Sequence, residues 1–176
     1  MKTRRSIFVG TAVVAGAVLW YLFRPDALII DRTVNESFPA ASAMGESAMG
    51  QSSMEADETE PVKLLSGRFH SNAHETSGLA TLYRLADGRR VLRLTGLATS
   101  NGPDVRVYLV AAGDVQREAA AKRAGFVDLG ALKGNAGDQN YDVPRGLDLS
   151  RYRAVSVWCR RFSVNFGAAP LAEIPS

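Results

Sequence analysis

After Pro61 the chain alternates between apolar and polar residues in short segments, which Gly, Asn, Asp and Pro separate. Successive side chains of a β-strand point to opposite faces, so this period of two predicts strands with one buried face. Short strands at turn-spaced intervals favour an all-β domain over residues 62–173, an antiparallel β-sandwich or a barrel-like fold. The segments that follow the pattern are LLSGRFH (64–70), GLATLYRL (78–85), RRVLRLTGL (89–97), DVRVYLV (104–110), FVDLG (126–130), QNYDVP (139–144), YRAVSVWC (152–159) and SVNFG (163–167).

Two turns and one helix complete the predicted domain. ADGR (86–89) and NGPD (101–104) carry the residues that tight turns prefer, and each predicts a hairpin. VQREAAAKRAG (115–125) is the one segment with helical character, and Glu118 lies four residues before Lys122, the favourable order for an ion pair on a helix.

The start of the chain has a different pattern. Residues 1–5 form a basic tip, and residues 6–23 contain no charge. As a helix, a run of this length spans about 27 Å, which is near the lower limit for crossing a membrane. A cleaved signal peptide is the alternative, but the nearest small-residue cleavage pattern, at 41–43, lies far beyond the apolar run. We therefore expect an uncleaved transmembrane signal-anchor helix, with the N-terminus in the cytoplasm and the C-terminal domain outside it.

Residues 24–61 show no sustained period and predict a flexible stalk. Three copies of a five-residue unit, SAMGE, SAMGQ and SSMEA, run from Ser42 to Ala56 and are followed by acidic residues. Small polar residues cannot bury enough surface to fold, so the segment is typical of a tether. The unit spaces Met44, Met49 and Met54 evenly. Thioethers suit Cu(I), but we favour the simpler interpretation, a repeat that happens to contain methionine.

The charge is unevenly distributed along the chain. Residues 62–176 contain 16 basic and 10 acidic residues, a net charge of +6, whereas the first 61 residues have a net charge of −3. A mildly basic domain suits acidic partners or a membrane surface, or simply has a solvated face. The basic residues do not cluster with aromatic residues at a spacing typical of nucleic-acid recognition, so we expect no nucleic-acid partner.

Cys159 is the only cysteine in the sequence, which excludes a disulfide within the chain. In an extended strand Val155, Val157 and Arg161 would share its face, and Arg160 would lie on the other face. An apolar setting makes the thiol a small core residue, whereas a nearby positive charge favours the reactive thiolate. Both interpretations are open at this stage.

His70 and His74 are the only two histidines. They could converge with Cys159 to bind a metal such as copper, or serve as axial ligands of a non-covalent haem. No CxxCH motif is present, which excludes covalently attached c-type haem. Alternatively, His74 is a turn or edge residue that hydrogen-bonds to the backbone.

Several segments in order carry a resemblance to a known family. They are Phe69-His70, His74 with Ser77-Gly78, GPDVRVYL (102–109), LGALKGNAGDQNYDVP (129–144) and VSVWCRRFSVNFGAAPL (155–171). From Leu64 to Leu171 the chain resembles the DM-thirteen domain family. The resemblance implies a β-rich domain outside the cytoplasm with a proposed electron-transfer role, in which a tryptophan–cysteine pair holds the redox residue as a thiol or as a cofactor ligand. Here that residue is Cys159. Animal relatives carry the domain beside DOMON and cytochrome-type membrane domains, neither of which is in this sequence.

Three functions follow as hypotheses. The first is a membrane-anchored redox module centred on Cys159, with a redox protein as its partner. The second is a binding module that recognises an envelope component or a protein and performs no redox step. The third is a Cys–His hydrolase, which needs a histidine within hydrogen-bond reach of Cys159 and an oxyanion site.

Overall fold

The structure, a computed structural model, describes residues 30–39, 60–116 and 123–174, together with helical positions 13, 14, 16, 18, 20 and 21. Within these residues the chain forms eleven β-strands. They are β1 (Thr33–Asn35), β2 (Val62–Arg68), β3 (His70–Ser71), β4 (Ser77–Arg84), β5 (Arg90–Ala98), β6 (Val105–Val110), β7 (Phe126–Ala131), β8 (Ala136–Val143), β9 (Ala154–Cys159), β10 (Val164–Pro170) and β11 (Ala172–Glu173).

The strands form two sheets. The first sheet has the order β1-β8-β5-β4-β2-β11, and the second has the order β3-β10-β9-β6-β7. Neighbouring strands are antiparallel, except that β1 runs parallel to β8. The all-β prediction is thereby confirmed, in a two-sheet arrangement consistent with a β-sandwich.

The main core lies between the two sheets, as the alternation predicts. The first sheet contributes buried leucines such as Leu82 and Leu92, and the second contributes Val107, Leu109 and Val157. A smaller apolar cluster covers the outer face of the second sheet, where Val115 packs on Tyr108 and Trp158. The second sheet is therefore buried on both faces, which accounts for the continuously buried side chains of β9.

All eight segments with alternating pattern contain strands, but one predicted hairpin is wrong. The turn at 86–89 does close a hairpin, with the Leu85 N–H donating to the Arg89 carbonyl over 2.8 Å. The segment 101–104 instead crosses from one sheet to the other. Strand β5 already has β4 and β8 as its two neighbours, whereas β6 pairs with β7 and β9.

Part of the predicted stalk lies against the domain. Strand β1 pairs with β8, and the Glu36 carboxylate accepts hydrogen bonds from Lys133 Nζ over 2.7 Å and from the Asn140 N–H over 2.8 Å. The Phe38 ring meets the Tyr83 ring edge to face, with centroids 4.7 Å apart. The prediction of a flexible stalk is wrong for this stretch, because backbone pairing, an ion pair and a ring contact hold it on the sheet.

Two predicted helices fall mainly outside the described residues. The predicted helix 115–125 is described only at its two ends: Val115 and Gln116 are not helical, whereas Arg123 and Ala124 are. Most of the predicted transmembrane run 6–23 also lies outside them. Among the residues that are described, no helix is both long and apolar enough to cross a membrane. Both helices stay predictions.

Candidate functional site

Cys159 is the last residue of β9 and is fully buried between the sheets. Its side chain lies in the main core with Val155 and Val157, as the alternation predicts. The prediction that Arg161 shares this face is wrong, because the strand ends at Cys159 and the chain turns. Arg161 is exposed in that turn, and the guanidinium of Arg160 donates to Asp104 Oδ2 over 2.8 Å.

These surroundings favour Cys159 as a core residue. The sulfur lies among aliphatic side chains, a setting in which a free cysteine acts as a small hydrophobic residue. Cys159 lines neither of the two cavities described below, although its cross-strand neighbours Val164 and Val105 line the first and the second cavity, respectively. The geometry therefore gives no support to an accessible reactive thiol.

Trp158 points in the opposite direction and belongs to a column of aromatic rings on the outer face of the second sheet. The Trp158 and Tyr108 centroids are 6.2 Å apart, and Tyr108 stacks on Phe126 with centroids 4.3 Å apart. Trp158 and Tyr108 are 4% and 3% exposed, whereas Phe126 is 45% exposed, so the column leads from the interior to the surface. Burial, followed by the nearby Asp128 carboxylate, raises the pKa of Tyr108. Its phenol is therefore protonated at neutral pH.

His70 lies on the same outer face and pairs with Asp114. Strand β3 places His70 beside Ala168 of β10, and the His70 ring Nε2 lies 2.8 Å from Asp114 Oδ1. The other ring nitrogen faces the Ser71 carbonyl at 3.3 Å. Burial raises the pKa of Asp114, but the hydrogen bonds from His70, the Val115 N–H and Gln116 outweigh burial and leave it lowered. The carboxylate is therefore charged near neutral pH and orients the imidazole.

His74 makes a different contact and does not join this pair. Its ring packs on Phe166 with centroids 3.9 Å apart, and its backbone N–H donates to the Phe166 carbonyl over 3.2 Å. This position matches the alternative interpretation of His74 as a turn residue held by the backbone.

The structure does not bring Cys159, His70 and His74 together as a metal or haem site. Cys159 pairs with Val164 of β10, and His70 pairs with Ala168 of the same strand. Val164 and Ala168 are four residues apart, which corresponds to about 13 Å along a strand. The side chains of Cys159 and His70 also point to opposite faces, since Cys159 lies in the inter-sheet core and Ala168 in the outer cluster. The described residues contain no group of three or more His, Cys, Asp or Glu side chains that could hold a metal ion. They do not fit a copper ion or a haem ligated by these three residues.

Sequence reasoning missed a polar network beside His70. Asn72 and Asn165 each donate from Nδ2 to the Val115 carbonyl over 2.9 Å, and Asn165 Oδ1 accepts from the buried Ser156 hydroxyl over 2.9 Å. This network pins the segment after β6 onto the sheet. An open cavity of about 590 Å³ lies next to it, lined by His70, Asn72, Gln116, Val164 and Asn165 among others. Asn72 and Asn165 lie 43 and 50 residues from Val115 along the chain, so no local motif indicates these contacts.

A second cavity, of about 420 Å³, lies where β1 begins. Its lining includes Ile30, Arg32, the segment 100–105 and the segment 131–135. Asp31 lies nearby and accepts hydrogen bonds from the amides of Asn101 and Asn135 over 2.7 and 2.9 Å. These contacts serve to attach the N-terminal segment to the domain.

The fold defines the class of the domain as a two-sheet β-domain with an aromatic column on one outer face. Comparison with known families adds the assignment to a family. The family model described as Electron transfer DM13 matches residues 68–171, more than half of the chain. The chain belongs to this family, which is the one that the sequence resemblance indicates. No curated protein and no solved structure shows a significant match.

Proposed function

We propose that this chain is a single-pass membrane protein whose β-domain is held outside the cytoplasm and takes part in electron transfer. The observation that carries the proposal is the family match over residues 68–171, which spans the chain from the last residue of β2 to the end of β10 and so includes strands of both sheets. The basic tip and the charge-free run 6–23 support the anchor and its orientation.

Within the domain we assign the electron-carrying role to Trp158 and Tyr108 rather than to the Cys159 thiol. Indole and phenol are, besides sulfur, the side chains most readily oxidised by one electron. Trp158 would give one electron to a high-potential one-electron acceptor and release its ring N–H proton to water, leaving a neutral indolyl radical. A reducing partner would return one electron, and water one proton. Phe126 covers Tyr108 and offers the partner an exposed apolar contact.

The assignment can be tested by photochemical oxidation of the full chain in lipid nanodiscs. A photogenerated ruthenium(III) polypyridyl complex serves as the one-electron oxidant, and transient absorption detects indolyl and phenoxyl radicals. We expect Tyr108→Phe to slow indolyl radical formation severalfold, because it interrupts the column. The matched control is Tyr83→Phe, whose ring lies on the other sheet against Phe38. Equal kinetics in the two variants would exclude the column as the route.

The location can be tested separately with the full chain expressed in cells. We expect it in the membrane fraction, with the β-domain reached by protease added from the outside only. Recovery in the soluble fraction, or protection of the domain, would contradict the proposed anchor or its orientation.

The cavity beside His70 supports a second candidate, a binding module without a redox step. Its lining combines hydrogen-bonding side chains of His70, Asn72 and Gln116 with an opening of sufficient volume for a small polar ligand or a peptide side chain. A ligand that binds only the folded state raises the melting temperature. A library of small polar compounds can be screened for such a ligand. The binding function is favoured if His70→Ala abolishes the rise in melting temperature and Trp158→Phe does not.

A further inference from the structure

The turn between β9 and β10 presents a large apolar side chain to solvent. Phe162 is 59% exposed, preceded by the exposed residues Arg160 and Arg161 and followed by the half-buried Ser163. The turn is fixed in place, because the Arg160 N–H donates to the Asp104 carbonyl over 2.9 Å and its guanidinium pairs with the Asp104 carboxylate. Ser163 adopts a left-handed φ of 55°, which few residues other than glycine adopt. The exposed ring is therefore held on a well-defined turn.

The same end of the domain receives the N-terminal segment. Strand β1 runs parallel to β8, so its first residues lie beside the segment that precedes β8. Asp31 is held there by Asn101 and Asn135, and Asn101 belongs to the same connection, 99–104, as the partner of Arg160. Asp31 and the Phe162 turn are thus at one end of the two sheets.

The docked segment also limits how far this end can lie from the membrane. Only the seven residues from Arg24 to Ile30 separate the charge-free run from Asp31. Fully extended, they span at most about 25 Å. The repeat 42–56 lies after β1 in the chain and so adds nothing to this distance. This step rests on the proposed function, in which residues 6–23 anchor the chain.

We propose that the Phe162 turn docks on the lipid surface of the membrane in which the chain is anchored. Phe162 enters the boundary between headgroups and acyl chains, and the polar residues of the turn stay at the level of the headgroups. Acidic groups at this end are engaged within the protein, Asp104 by Arg160 and Asp31 by two amides. Because the end is not strongly cationic, the apolar ring supplies most of the attraction, and anionic lipid is not required.

The orientation gives the domain a membrane-facing end and a partner-facing end. Phe126 pairs with Val110, at the end of β6 opposite to the one that pairs with Cys159. The exposed ring of the aromatic column therefore faces away from the membrane, where a partner can reach it. Phe126 is also a matched control for Phe162, since both are exposed phenylalanines of the same domain.

Paramagnetic lipids test the docking on the full chain in phosphatidylcholine nanodiscs. With a nitroxide attached near the headgroup end of the acyl chain, we expect severalfold stronger broadening of the NMR signals of residues 160–163 than of residues 126–129. Phe162→Ser should remove most of this difference and Phe126→Ser should leave it unchanged. Replacing a third of the lipid by phosphatidylglycerol should change it little.

Two other results would overturn the inference and are distinguishable. Equal, weak broadening at both ends, with the chain retained in the nanodiscs, would refute the docking and leave the anchor intact. A chain that does not incorporate into nanodiscs would refute the anchor of the proposed function, and the docking with it.

Discussion

At the scale of single residues, strand β9 gives two neighbouring side chains different environments. Cys159 lies in the aliphatic core and Trp158 in the aromatic column on the outer face. The alternation of the sequence predicts that Cys159 shares its face with Val155 and Val157, and this is confirmed. It could not predict the second covered face, because Tyr108 and Val115 come from distant parts of the chain.

The burial of Cys159 leads to a stability prediction. Cys159→Ser places a hydroxyl without a designed partner in an apolar site, so we expect it to lower the free energy of unfolding by about 1–3 kcal/mol. Cys159→Ala leaves only a small cavity and should cost about 1 kcal/mol or less. Denaturant unfolding of the full chain in detergent measures both. A serine variant as stable as the alanine variant would indicate a polar or hydrated site.

Reactivity of the same thiol provides an independent check. Because the sulfur is sealed in the core, a thiol reagent should modify the native chain slowly and the denatured chain quickly. Val164 pairs with Cys159 and also lines the cavity beside His70, so we expect Val164→Ala to open the packing there and accelerate the native reaction. Fast modification of the unsubstituted native chain would contradict the burial.

At the scale of elements, the docking of β1 is the feature least visible in the sequence. Three residues, TVN, are too short for a period, and their partners in β8 lie about a hundred residues away. Glycines make room for the approach. A methyl group at Gly134 would collide with the Arg32 carbonyl, and one at Gly137 with the Val34 carbonyl. Such a close approach is a tertiary property, which local patterns do not report.

Gly134→Ala should therefore loosen the N-terminal segment selectively. Gly134 does not have a left-handed φ, so the substitution adds a clash without adding backbone strain. We expect hydrogen-exchange protection over residues 33–36 to fall by about 1–3 kcal/mol, the usual cost of overpacking. Gly113→Ala is the control, since an added Cβ there meets nothing within 4 Å. Unchanged protection in Gly134→Ala would mean that β1 is not docked on β8 as described.

The attachment of β1 should also weaken in acid. Burial raises the pKa of Glu36, but the hydrogen bonds from Lys133 and Asn140 outweigh burial and leave it lowered. A carboxyl with a lowered folded pKa contributes stability above its ordinary pKa and loses that contribution as the pH falls through the folded value. Protection of residues 33–36 should therefore drop below about pH 4.

Glu36→Gln separates this cause from general acid unfolding. The variant should have lower protection at neutral pH and a flatter acid response in this segment. An acid response identical to that of the unsubstituted chain would assign the effect to other carboxyl groups.

At the scale of the whole molecule, the eight segments with alternating pattern predicted an all-β domain, and their strands form both sheets. The assignment of strands to sheets was less predictable. The turn residues of NGPD signal a change of direction, but they do not say whether the chain returns to the same sheet or crosses to the other. The His70–Asp114 pair and the aromatic column depend on that crossing, so their members could not be grouped from spacing alone.

The central claim is that electrons move through the aromatic column on one face of β9, whereas the Cys159 sulfur on the other face has a structural role. The yield of indolyl radical after photochemical oxidation tests it most directly, in the full chain and in the adjacent variants Trp158→Phe and Cys159→Ala. The account predicts that Trp158→Phe removes the slow, protein-interior part of the indolyl signal and that Cys159→Ala retains it. A signal that survives Trp158→Phe but is lost in a folded Cys159→Ala chain would contradict the account and return the redox role to the cysteine.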